Sequence, residues 1–153
     1  MANPIEFPST TPNLSLPLLF LGQSQKEPFI NQALSMLDTL AFGIVDNSLA
    51  SPPSTPDDGS AFRILDNADG EWAGHDGELA LWIGGAWSFI SPSDGLAVFD
   101  QTARTTVSYN SAWETASEPI QPTGGTTVDT EARTAISGIL DALRVAGILP
   151  NGA

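Results

Sequence analysis

The sequence predicts an α+β fold, mainly β, in which an antiparallel meander is flanked by an N-terminal amphipathic helix and a C-terminal helix. Three observations carry that reading. Apolar residues recur every three or four positions over 29–41, the period drops to two between Gly43 and Thr115, and a helical rhythm returns after Asp129. At 153 residues the chain fits one ordinary domain with a single core.

Residues 1–13 are expected to form an extended N-terminal arm. Pro4, Pro8 and Pro12 each fix φ and push the preceding residue towards extended backbone, and such an arm orders best against a partner. A helix-plus-meander domain is expected over 14–115, opening with a short extended run from Leu14 to Leu21. The first helix is read from Phe29, Ile30, Ala33, Leu34, Leu37, Leu40 and Ala41, with Pro28 tolerated in the first turn and Gly43 as a stop.

Candidate strands follow at Phe62–Leu65, Glu78–Ile83, Ala86–Ile90, Leu96–Phe99 and Thr105–Tyr109, rich in aromatic and β-branched residues. Gly84-Gly85 between two apolar pairs marks a tight hairpin, because a two-residue primed turn needs positive φ. Ser51 to Gly59, with three prolines, reads as a turn-rich connection. A faint repeat (Gly70-Glu71-Trp72, Gly85-Ala86-Trp87, Ser111-Ala112-Trp113) delivers a large aromatic after each turn. Trp72, Trp82, Trp87 and Trp113 are therefore candidate contact residues, serving either packing and subunit contact or an exposed surface on which sugars stack.

Residues 116–128 read as a linker, stiffened by Pro119 and Pro122 and loosened by Gly124 and Gly125. A C-terminal helix is expected over 129–149, capped by Asp129 or Thr127, with Glu131 and Arg144 matching its dipole and Pro150 ending it. Its seam, Ala132, Ile136, Ile139, Leu143 and Ala146, steps by four and three over about two heptads. So short a seam either docks on the β region or meets its copies around a symmetry axis.

The charge balance narrows the partners. Asp and Glu number 18 against five Lys and Arg, a net charge of -13, and the basic residues are scattered. Phosphate backbones need clustered cations, so nucleic acid is not an expected partner, and anionic membrane surfaces are disfavoured too. No apolar run approaches the ~20 residues of a spanning helix, so no membrane insertion is expected. The N-terminus lacks a basic region and an apolar core of a secretory signal, which points to synthesis in a cytoplasm. There is no cysteine, hence neither a disulfide nor a thiolate metal site.

No catalytic, cofactor or metal site is expected. Gly22-Gln23-Ser24-Gln25-Lys26 approaches a nucleophile elbow, but Lys26 stands where the second glycine belongs. Its polar residues, with Asn31, suit bonding to loop and helix-terminal backbone instead. His75, the only histidine, sits beside Asp76 with no paired nucleophile, the setting of a hydrogen-bonded loop residue. Asp66-Asn67-Ala68-Asp69-Gly70 approaches a calcium loop, but aligning its glycine leaves Leu65 and Asp76 at the two end ligands; a looser site from Asp66, Asp69 and Asp76 competes with ordinary Asx turns.

Three stretches together resemble an uncharacterised domain family of tail-fibre and tail-associated proteins of phages and phage-derived gene transfer agents. They are Gly22, Gln23, Gln25 and Lys26 leading to Asn31, Ala33, Leu34, Leu37 and Asp38; Pro52, Pro53, Pro56 and Gly59; and Trp72 to Gly77 followed by Gly85, Trp87, Phe89 and Pro92. The resemblance implies a virion structural protein rather than an enzyme, made in a bacterial host cytoplasm and placed in a tail tip, fibre or spike base. It further implies a homotrimer in contact with other tail or virion proteins and engaged in host attachment. A receptor-binding module for host-surface glycan is the alternative.

Overall fold

The computed structural model describes residues 9–19, 22, 26–120 and 123–150. Within them lie two helices and eight short strands in two sheets, an α+β fold that is mainly β. The chain divides into two compact units, the first ending at Ser91 and the second beginning at Pro92.

The first unit contains α1 (Glu27–Leu40), β1 (Ile44–Val45), β2 (Asn47–Leu49), β3 (Ala61–Ile64), a 3-10 turn (Gly70–Trp72), β4 (Leu79–Ile83) and β5 (Ala86–Ile90). Its sheet runs β2-β3-β4-β5. The last three strands form the expected antiparallel meander, and Gly84 and Gly85, at φ 59° and 82°, make the tight turn that pairs Ile83 with Ala86. One pairing differs from a meander: β2 runs parallel to β3, with Asn47 opposite Phe62. The proline-rich connection from Ala50 to Ser60 is the cause, since roughly a dozen residues suffice to carry the chain back and start a strand in the same direction. β4, flanked by β3 and β5, buries Leu79, Ala80 and Leu81 in succession, so both of its faces are covered.

Helix α1 keeps Leu34 and Leu40 half-buried but turns most of its apolar stripe outward. Its buried residues are Glu27, Asp38 and Thr39, while Phe29 is 78% and Leu37 64% exposed, with Ile30, Ala33 and Ala41 also open to solvent. The cause is the Asp38 carboxylate. Oδ1 accepts from the Thr11 hydroxyl at 2.8 Å and the Leu14 N–H at 2.7 Å, and Oδ2 accepts from the Asn13 N–H at 2.9 Å. Thr11 is itself buried and its hydroxyl accepts from Leu16 N–H. The described end of the expected arm therefore finds its partner within the same chain, and Pro12 to Leu14 turn where an extended run was expected from Leu14. Burial pushes the Asp38 carboxyl upward, but the Asn13 backbone, the Thr11 hydroxyl, the Leu14 backbone and the Asn13 side chain outweigh it and hold the group below the usual carboxylate range.

In the second unit, β6 (Ala97–Asp100), β7 (Thr105–Tyr109) and β8 (Trp113–Thr115) form successive antiparallel pairs, and α2 (Thr130–Val145) follows. Asp129 caps α2 by accepting from Ala132 N–H at 2.9 Å. Arg133 reaches back to the Gly124 carbonyl at 2.6 Å, and Arg144 pairs with Asp141 and Glu118. The helix stops at Gly147, ahead of Pro150. Gly147 N–H donates to Arg144 O and Ile148 N–H to Leu143 O, both at 3.0 Å, the paired bonds of a left-handed glycine cap. Gly147, at φ 70°, also lies against Phe99, whose ring would stand 2.7 Å from an added Cβ, and its carbonyl accepts from Thr106 N–H.

Two outcomes follow for stability. Asp38→Ala orphans three donors and should cost about 3 kcal/mol in urea unfolding. Because the folded carboxyl titrates below its unfolded value, its contribution is complete above the usual carboxylate range and is lost as pH falls through the lower folded value; Asp38→Ala should flatten that acid limb. Gly147→Ala forces a Cβ into left-handed backbone and onto Phe99, and should cost about 2 kcal/mol, read from the same unfolding curves.

Candidate functional site

The aromatic residues of the first unit converge. Trp72 is fully buried, carried inward by the 3-10 turn, and packs with Phe62 at 5.8 Å and Trp87 at 5.1 Å between ring centres. Trp87 stands edge-on to both Trp72 and Trp82, the latter at 4.8 Å, and its indole N–H donates to Glu71 at 3.2 Å. Such edge-to-face pairs fix ring orientation as well as bury area. Trp72 is thus a core residue with no surface for a ligand, whereas Trp82 and Trp87 are half-buried. Trp113, in the second unit, packs edge-on with Tyr109 at 5.3 Å. Within the first unit, Trp72, Trp82 and Trp87 make one connected aromatic cluster.

Trp87 lines an open groove of about 560 Å³ between α1 and the β4–β5 hairpin. From α1 come Pro28, Asn31, Gln32 and Ser35; from the strands come Ile83 and Ser88, with Asp58 at one side. Two of these polar groups are held in place. Asn31 exchanges two hydrogen bonds with the Leu19 backbone, at 2.8 and 3.1 Å, and Asp58 accepts from Gly84 N–H at 2.7 Å. The groove therefore offers an indole surface, apolar contacts, a primary amide and hydroxyls. Among its described lining residues Asp58 is the only titratable one, so no carboxylate pair faces a ligand there.

The Trp72–Gly77 loop is fastened by hydrogen bonds. His75 stacks on Phe89 at 3.6 Å, its Nδ1 lies 2.7 Å from Glu78 Oε2, and Ser91 donates to Glu78 Oε1 at 2.6 Å. The Ser91 hydroxyl, outweighing burial with the help of His75, holds the Glu78 carboxyl below the usual range. Asp76 accepts from Ala68 N–H at 2.8 Å, a bond across eight positions that ties the two ends of the acidic loop together. Among the described residues no group of three His, Asp or Glu side chains could hold a metal ion.

Gln23, Ser24 and Gln25 lie outside the described residues; Gly22 N–H donates to Glu27 at 2.6 Å, and Asn31 bonds the loop backbone. On α2, Leu140 faces inward, while Ala132, Ile136, Ile139 and Ala146 of the seam are exposed, Ile139 to 60%, and Leu143 is half-buried. Sequence reasoning missed the groove and the Asp38 clasp. Thr11 and Asp38 lie 27 positions apart, and no local spacing marks them as partners.

No curated protein shares detectable similarity with the chain. A family model described as a protein of unknown function, DUF2793, matches residues 30–114, which runs from the first turn of α1 into β8 and covers more than half of the sequence. The chain belongs to the DUF2793 family.

Proposed function

We propose that this chain is a non-enzymatic structural component of a phage or phage-like tail tip, tail fibre or spike base, assembling as a homo-oligomer and joining neighbouring virion proteins. The observation that carries the reading is the outward apolar surface of both helices. Phe29 and Leu37 on α1 and Ile136 and Ile139 on α2 face solvent in a chain of net charge -13, and large exposed apolar faces mark association surfaces. The α2 seam favours more than two copies, a trimer included: Leu143 falls at an a-type position beside d-type Ile139, a choice that shifts coiled coils from two strands to three or four. The phage-tail resemblance of the sequence supports the setting.

A second reading rests on the groove. Trp87 with Gln32, Ser35 and Ser88 supplies a stacking ring and neutral hydrogen-bonding groups, the means of holding a host-surface glycan.

Light scattering on purified protein should return a multiple of the 16.0 kDa chain mass, with three copies as the expected state; a monomer at working concentration would remove the structural reading. Cryo-EM of the intact particle should place the chain at a tail or fibre. For the groove, binding on an array of host-surface glycans should fall about five-fold in Gln32→Ala or Ser88→Ala, the loss of one hydrogen bond, and persist in Trp113→Ala. An array that stays blank removes the glycan reading.

A further inference from the structure

We infer that the outward ridge of α1 is a self-complementary interface that pairs two copies of this chain antiparallel. The pairing presupposes the self-association proposed above and adds a two-fold contact to any threefold one made by α2. Phe29, Ala33, Leu37 and Ala41 form one i, i+4 ridge, and all four are exposed. Along it large and small residues alternate. Turning a second copy end for end about the midpoint at Ser35 sets Phe29 against Ala41 and Ala33 against Leu37, so every large side chain meets a small one. The same operation brings exposed Ile30 opposite Leu40 and exposed Phe42 opposite Pro28. A helix face that is its own complement under a two-fold axis is what an isologous contact requires.

Charge selects the same occupant. From Pro28 to Val45 the only charged residue is Asp38, which is buried and bonded within its own chain. Two copies of net charge -13 repel across most of their surfaces, and this uncharged ridge is where they approach at least cost. A basic partner would be drawn to the carboxylates instead. Covering Phe29, Ile30, Leu37 and Phe42 on both copies removes on the order of 800 to 1,000 Å² from water, the size of a weak, concentration-dependent contact.

Cysteine mapping tests the pairing directly, because the chain has none of its own. Phe29→Cys and Ala41→Cys copies, mixed and oxidised, should cross-link to each other. Each alone should not, since like positions lie about 18 Å apart in the antiparallel register. In sedimentation, Leu37→Glu should weaken self-association by about 100-fold through a buried unpaired charge, while Gln32→Glu, the same charge beside the ridge, should leave it unchanged. Both positions are exposed, so circular dichroism of the two variants should match the parent. Like-with-like cross-links, or equal effects of the two glutamates, overturn the pairing. A trimer indifferent to Leu37→Glu sinks this contact and leaves the oligomer reading standing; a wild-type monomer sinks both.

Discussion

With its carboxylate fully buried and accepting from Thr11, Asn13 and Leu14, Asp38 holds α1 at one rotation about its axis. An amphipathic helix left to hydrophobic forces would turn Phe29 and Leu37 towards a core. Here the polar side is drawn inward because an ionised carboxylate that leaves water must keep its donors, and the preceding loop supplies three of them. Everything on the outer surface of the helix follows from that choice, as does the groove side, where Asn31 secures Leu19 one turn before Ser35.

The β pattern was readable because it is local. Alternation and turn chemistry placed β3 to β7 within a residue or two of their observed bounds, and Gly84-Gly85 announced the hairpin through its need for positive φ. The parallel pairing of β2 with β3 was not readable, since it depends on where a connection returns rather than on any period. The helix rhythm over 29–41 was likewise correct as a rhythm, but a periodic stripe says only that one side differs from the other. Which side turns inward was decided by Thr11, far away in sequence.

The same limit applies to the tryptophans. Their repeated position after a turn located them in the sheet region, yet the 3-10 turn buries Trp72 while a strand leaves Trp87 at the edge of a groove. Residues of one type at similar local positions thus take different parts: Trp72 fills a core with Phe62, Ile64 and Ala80, and Trp87 links that core to the surface. His75 shows the converse. A residue type associated with proton transfer here stacks flat on Phe89 and is tethered by Glu78.

The edge-on indoles have an optical consequence. Trp72 and Trp82 each stand about 5 Å from Trp87, close enough for their excited states to couple, whereas Trp113 stands edge-on to Tyr109. The coupled indole bands in circular dichroism consequently report on the packing around β4 and β5, giving the first unit a spectroscopic signature of its own without any label.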